Sequence, residues 1–372
     1  MSILRPEIVS ELNDNYARFV ESVRFREGED FYSHDFPTLE LSYNENPLGP
    51  GKLAQEALRR HVAFAHRYPP LGYGVLINEL ARRLALLPEN VVVTAGSVTA
   101  IYLAVLQRAD PGDEVIFSKS SIPWYRWSTL ANKSIPVIVP LTANMNHDLD
   151  GLADRVSDKT RVVIISNPHN PTGIYIPEGE LRAFHARLPE HVLLIVDQAY
   201  YEYQSCQEDV LLRLVTRVPN LMLVRTFSKI HGLAGLRVGY GIANADIVKT
   251  LKAHWLPFMP AITSVSAYAA YHALFDEEHL TESVRFNNHV KEAIYKLASQ
   301  NGLTCFESEA NFVAVNIKDS RVNEKVFHQN ALAFTAGYSF GYPEWARISF
   351  DRRADEMLEK LAGTFAQIQG TM

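Results

Sequence analysis

Thr226-Phe-Ser-Lys-Ile-His-Gly-Leu-Ala-Gly-Leu-Arg-Val-Gly-Tyr240 is the stretch from which the rest of the chain can be read. It sets one lysine, Lys229, among two hydroxyl residues, Thr226 and Ser228, with two small-residue turns and Arg237 downstream. An amine beside hydroxyl donors and a second fixed cation suits covalent capture of an aldehyde that carries a phosphate. The hydroxyls and the arginine would hold the phosphate. The lysine, its pKa lowered by the neighbouring positive charge, would form a Schiff base. The same residues also read as a surface lysine at a helix start after the strand Leu221–Val224, since Ser, Lys and Gly often meet in such turns. This stretch alone leaves both readings open.

Outward from it, short apolar runs recur at Val91–Thr94, Val115–Phe117, Val137–Val139, Val162–Ile165, Leu193–Val196, Leu221–Val224 and Val238–Gly241. Several are separated by helix-length segments. Continuous rather than alternating apolar runs indicate strands buried on both faces of a mostly parallel sheet. Ligands of such sheets sit beyond the carboxyl ends of the strands. The unusual residues do follow strand ends: Ser166-Asn-Pro-His-Asn-Pro-Thr-Gly173 after Ile165, and Asp197-Gln-Ala-Tyr200 after Val196. Asp197 directly follows four apolar residues, where an unpaired carboxylate is expensive, so it has a cationic or N–H partner. A protonated pyridine nitrogen would serve, making the ring an electron sink. A helix N-cap would serve equally. Val91–Thr94 runs into Ala95-Gly-Ser-Val-Thr99 and a helix, an anion cup of free N–H groups, although many such turns bind nothing.

Residues 7–25 carry helical periodicity (Ile8, Leu12, Tyr16, Phe19, Val20, Val23) and read as an amphipathic helix. Ser42-Tyr-Asn-Glu-Asn-Pro-Leu-Gly-Pro50 is too rich in Asn, Pro and Gly to be regular. It is a connector, or an arm over a site with Tyr43, Asn44 and Asn46 facing a small polar ligand. Helices follow at 52–64 and 75–85, around the aromatic loop His66–Gly74. After about residue 260 the parallel pattern stops. Helices at 264–275 and 280–300, strands at 312–316 and 347–350, and a last helix at 354–369 suit an α+β unit that closes over substrate with the arm. The fold class expected is α/β: a mostly parallel central sheet sandwiched by helices, with a smaller α+β domain. The division expected is 1–50 for helix and arm, 51–258 for the large domain and 259–372 for the small one.

A chain of 372 residues exceeds one ordinary core, which agrees with two domains. A net charge of -6 without a basic stripe excludes a nucleic-acid footprint. The N-terminal stretch carries acids and lacks the apolar core of a signal peptide, and no run approaches a membrane span. Cys206 and Cys305 lack metal-type spacing, so reduced thiols, no metal and a cytoplasmic location are expected.

Taken together, Asn167-Pro-His-Asn-Pro-Thr-Gly173, Asp197-x-Ala-Tyr200 and Thr226-x-Ser-Lys229 with its GLAGLRxGY continuation resemble the fold-type I pyridoxal-phosphate enzymes. More closely, the set is similar to the class I/II aminotransferases, including the histidinol-phosphate aminotransferase and threonine-phosphate decarboxylase branch. The resemblance runs in consistent order from about Leu41 to Phe350. It implies an aspartate-aminotransferase-like large domain and pyridoxal 5'-phosphate as cofactor. It makes Lys229 the Schiff-base lysine and acid/base, Asp197 the partner of the pyridine nitrogen, and Asn170 and Tyr200 the partners of the cofactor's phenolic oxygen. Gly96, Ser97 and Val98 supply backbone donors to the phosphate, joined by Thr226, Ser228 and Arg237. Tyr68 matches a tyrosine that reaches the neighbouring subunit's phosphate, which implies a homodimer with shared active sites. Arg347 matches the arginine that grips the substrate α-carboxylate, its other reading being a structural ion pair on an edge strand. Tyr43, Glu45, Asn46, Asn170 and His231 fall on the substrate side.

The sequence departs from the family in places. In Ser120-Ser-Ile-Pro-Trp-Tyr-Arg-Trp127 the simplest register puts Ile122, not an aromatic ring, on the cofactor face, unless Trp124 turns in. His231 stands where an aromatic is usual, as a packing residue or a second proton carrier. Gln198 replaces the usual Glu, and His169 fills the variable slot. Ala333-Phe-Thr-Ala-Gly-Tyr-Ser-Phe-Gly341 holds no arginine, which counts against a phosphorylated substrate. The function expected is an aminotransferase acting on a free α-amino acid, with a keto acid as acceptor, through an external aldimine and a quinonoid. The alternative is elimination with cyclisation, oxidation of an arginine-like amino acid, or decarboxylation on the same scaffold. Glu45 and Glu344 are acids that could greet a basic substrate or simply be solvated. A non-catalytic effector-binding domain would need a helix-turn-helix and a basic arm ahead of the fold, which residues 1–40 do not supply.

Overall fold

All seven apolar runs are strands of one sheet in a computed structural model, which describes residues 38–69, 73–255 and 262–370. The expected helix at 7–25 lies outside the described residues. In chain order the strands are β1 (Leu39–Leu41), β2 (Val91–Thr94), β3 (Glu114–Ser118), β4 (Ile135–Val139), β5 (Thr160–Ser166), β6 (Leu193–Asp197), β7 (Leu221–Thr226), β8 (Gly239–Ala243), β9 (Phe312–Asn316), β10 (Leu332–Ala336) and β11 (Trp345–Ser349). The large sheet has the order β2-β8-β7-β6-β5-β3-β4. All its pairs are parallel except those of β8, which runs antiparallel to both neighbours. Its central strands are buried along their whole length because helices cover both faces, and one apolar core lies on each side. That double burial is why these strands read as unbroken apolar runs.

The smaller sheet has the order β1-β10-β11-β9. One face packs on the helices Glu277–Gln300 and Ala354–Gly370, around Ile348, Phe327 and Phe365, each fully buried. β1 and β10 escape the sequence reading. Three residues, Leu-Glu-Leu, are too few to show a period, and Leu332–Ala336 alternates weakly as a strand buried on one face. β1 lies parallel to β10, Leu39 opposite Leu332, so the arm enters the molecule as part of the smaller sheet. The helix Ser264–Ala273, placed by a division at 258/259 with the C-terminal unit, buries Ala269, Ala270 and Ala273 in the core beside the large sheet. No described helix is long and apolar enough to cross a membrane.

Phe365 leaves no exposed surface and meets Phe327 edge-on at 6.5 Å. Phe365→Ala is expected to cost about 3–5 kcal/mol of stability, read as a lower urea midpoint. A loss below about 1 kcal/mol would show that the last helix is not needed to hold the smaller sheet.

Candidate active site

The antiparallel strand β8 makes the first half of the site. Its first residue, Gly239, pairs with Thr94 at the end of β2 and with Thr226 at the end of β7. Gly96–Val98 thus meets, at one sheet edge, the distant stretch that carries Thr226–Ser228 and Arg237. Gly96 adopts φ 84° and leads into the helix Ser97–Arg108, whose first N–H groups no side chain caps. A Cβ on Gly96 would collide with the Arg237 guanidinium, and one on Gly239 with the backbone at Gly96 and Ser97. Arg237 donates from Nη1 to Ser228 Oγ at 3.3 Å, and Thr226 Oγ1 donates to Ser228 Oγ at 3.0 Å. The cup is therefore a helix N-terminus, two hydroxyls and a guanidinium, a donor set that suits a phosphate.

Lys229 follows in a turn, not at a helix start; the next regular piece is the single turn Ala234–Leu236. Fully buried Phe227 and Ile230 hold the turn on either side of the lysine. Gly232 (φ +67°) is obligatory, because a Cβ there would strike the backbone of Gly49 and Pro50. The arm thus lies directly on the lysine turn. Asn46 clips it there, its Nδ2 donating to Ile230 O at 2.7 Å and Ser283 Oγ at 2.9 Å. The Lys229 amine donates to Tyr43 O at 3.0 Å and Asn44 O at 2.9 Å. Desolvation, then the Arg347 charge, with Arg237 adding to it, lower its pKa to about 8 although Glu45 and Asp197 oppose the shift. The amine is therefore partly neutral near physiological pH.

Asp197 ends β6 with 3% of its surface exposed. Tyr125 OH donates to its Oδ2 at 2.8 Å and Ala199 N to its Oδ1 at 3.2 Å. Burial raises its pKa to about 6, against the hydrogen bond from Tyr125. A carboxylate so placed favours a cationic N–H beside it. Tyr200, 4% exposed, accepts from Asn170 Nδ2 and from Asn44 Nδ2, each at 3.0 Å. Arg347 donates to Asn170 Oδ1 at 2.7 Å, to Thr335 Oγ1 at 2.8 Å and to Ser42 O. Its Nε is buried with no partner among the described residues, and every acceptor it has is neutral. Among the described residues it makes no ion pair.

The remaining expected residues lie as follows. Ile122 is half-buried and packs on the core under the helix Ser97–Arg108, whereas Trp124 is 48% exposed and meets Trp127 edge-on. His231 is buried with its ring 4.8 Å from Phe227, and burial with the neighbouring His279 and Arg83 lowers its pKa to about 3. Tyr43 and Glu45 are exposed on the arm, and Tyr68 is 84% exposed. Tyr125 was overlooked as a partner of Asp197. Its signal was the spacing Ile122-Pro-Trp-Tyr125, since Pro123 opens the helix Pro123–Ala131 and points the tyrosine inward. Thr335 and Asn311 are polar residues whose roles depend on contacts across the two sheets, which no local pattern announces; Asn44, expected on the arm to face a ligand, has its amide on Tyr200 and Ser349.

These groups fit pyridoxal 5'-phosphate: the cup its phosphate, Asp197 its ring nitrogen, Tyr200 its phenolic oxygen and Lys229 its aldehyde carbon. Residues 37–365 match the family model described as aminotransferase class I and II. A histidinol-phosphate aminotransferase of Bacillus velezensis is 31% identical over 335 residues, 89% of this chain and 91% of that one. An aromatic amino acid aminotransferase of Rhodococcus opacus is 39% identical over 277 residues, 74% of this chain and 76% of that one. Among solved structures, histidinol-phosphate aminotransferase of Sinorhizobium meliloti in complex with pyridoxal-5'-phosphate superposes with a TM-score of 0.81 at 25% identity, covering 89% of this chain and 91% of its own.

Lys229 is expected to react with an amine-directed acylating reagent at half its maximal rate near pH 8, whereas ordinary lysines reach that point near about pH 10.4. Peptide mass mapping after brief labelling across this range checks it. A Lys229 profile that superposes on those of surface lysines would remove the case for an activated amine.

Proposed function

The chain belongs to the class I and II aminotransferase family and is a pyridoxal-phosphate-dependent aminotransferase; we propose that it transaminates an unphosphorylated, free α-amino acid seated by its carboxylate on Arg347. The observation that carries this reading is the state of Arg347. A half-buried guanidinium held only by neutral oxygens, with its Nε unpaired, is a cation prepared for an anion that the described residues do not supply. The carboxylate of an amino acid matches it in charge and in its two-pronged shape.

From that seat the other residues take their parts. Bound pyridoxal 5'-phosphate supplies an electron-accepting ring for the pair released from the α-carbon. Lys229, poised near pH 8, holds or returns the α-proton as a general base and acid. Asp197 keeps the ring nitrogen protonated, and Tyr125 fixes the carboxylate's aim. The arm, with Tyr43 and Asn44 over the amine, keeps water from it. Ile122 is the aliphatic cover of the cofactor ring, since Trp124 lies out against Trp127. Burial beside Phe227 keeps His231 neutral, which supports its reading as a packing residue rather than a second proton carrier. Tyr68 and the exposed Val62 and Phe64 near it are available to a second copy, in keeping with a homodimer that shares its active sites. The free thiols Cys206 and Cys305 agree with a cytoplasmic location.

The relatives divide between phosphorylated and plain amino donors. Thr335, which touches Arg347, leads into Ala336–Gly341, which contains no cation to receive a substrate phosphate. That favours a plain amino acid.

The test is a visible spectrum of the protein loaded with pyridoxal phosphate, followed as single amino acids and histidinol phosphate are added without a keto acid. Loss of the visible band with one equivalent of keto acid released, from a plain amino acid, is expected. Arg347→Ala should lose about 2–5 kcal/mol in kcat/KM for that donor. Continued turnover without an acceptor, or histidinol phosphate as the preferred donor, would overturn the reading.

A further inference from the structure

Asn44 uses every polar atom it has. Its N–H donates to Ser349 Oγ at 2.9 Å, and its Oδ1 accepts from Ser349 Oγ at 2.6 Å. Its carbonyl accepts from Lys229 Nζ at 2.9 Å and from Asn311 Nδ2 at 3.0 Å. Its Nδ2 donates to Tyr200 OH at 3.0 Å. The residue is 2% exposed and adopts φ 53°, a left-handed conformation that asparagine tolerates better than most residues.

The second asparagine on Tyr200 cannot face the other way. Arg347 has only donors, so Asn170 must present Oδ1 to it and Nδ2 to the phenol. The Ser349 hydroxyl orients the Asn44 amide in the same sense. Tyr200 therefore receives two N–H donors at its oxygen. No acceptor among its hydrogen-bond partners in the described residues takes its own proton.

We infer that Asn44 is a positioning residue that, paired with Asn170, fills the accepting capacity of the Tyr200 oxygen and thereby commits the Tyr200 hydroxyl to donate to the cofactor's phenolic oxygen. The inference rests on the reading of the site as one for pyridoxal phosphate. Two N–H donors also polarise the phenol and make it a stronger donor. A donor at the cofactor's phenolic oxygen would stabilise its anionic form and lower the pKa of the proton that oxygen shares with the lysine nitrogen. The arm, together with Asn170, thus helps set the pH at which the lysine-bound cofactor changes colour.

The experiment is a pH titration of the visible band in the cofactor-loaded protein. Asn44→Gly keeps the left-handed backbone, removes the amide and should raise the midpoint by about half a unit. Asn44→Asp keeps the shape but offers an acceptor that captures the Tyr200 proton and adds negative charge, so its midpoint should rise by about one unit or more. Gln55→Ala removes a bond to Pro50 O at the far end of the arm, touches neither Asn44 nor Tyr200, and should leave the midpoint in place. If Asn44→Gly fails to fold, Ser349→Ala, which frees the amide orientation from a neighbouring strand, should give a smaller rise in the same direction. Unchanged midpoints in both Asn44 variants, or an equal shift in Gln55→Ala, would overturn the inference while leaving the cofactor site intact. Absence of the band from the unaltered protein would instead remove the cofactor reading, and this inference with it.

Discussion

A single antiparallel strand sets the geometry of the molecule. β8 lies between β2 and β7 with Gly239 level with both Thr94 and Thr226, and nothing larger than glycine fits where it passes Gly96 and Ser97. Reversing direction there brings Arg237 back to the edge from which β2 and β7 point. A fully parallel strand in that slot would carry its preceding loop to the opposite edge and leave the hydroxyls without a guanidinium. The cup, the lysine turn and the surface on which the arm lies all follow from this one reversal.

The charges of the site are arranged as a template of opposite sign to its occupants. Arg237 and Arg347 stand as two cations without acidic partners among the described residues, one toward the large sheet and one on the smaller. Asp197, at the end of β6, is a buried acid whose pKa rises to about 6. Lys229 feels all three, and the balance leaves its amine near pH 8. Each of these states costs stability in the isolated fold, as expected where a protein holds groups ready for a ligand.

The sequence made the large sheet legible because burial on both faces leaves unbroken apolar runs, and it made Lys229 and Asp197 legible because each follows such a run, whereas Arg347 stood out only through the family resemblance. It said little about β1 and β10, whose burial is one-sided and short. It was also silent on side-chain partners. Tyr125 reaches Asp197 and Asn44 reaches Tyr200 from positions that only the folded chain makes neighbours. The lysine stretch misled in one respect: its Ser-Lys-Gly spacing looks like a helix start, but Gly232 serves the approach of the arm and the backbone turns instead.

The parallel pairing of β1 with β10 has a bearing on how the protein is made. Leu39 finds its strand partner only at Leu332, and Asn44 finds Ser349. The ribosome makes Leu332 and Ser349 long after Leu39 and Asn44, and after Lys229 as well. Until then the large sheet can form, and with it the turn that presents Lys229, but the segment that covers the amine has nothing to dock on. Such long-separated pairings are slow, late events in folding. A nascent chain therefore carries an uncovered lysine from the synthesis of Lys229 until Leu332 and Ser349 have been made, and the covered site is assembled last.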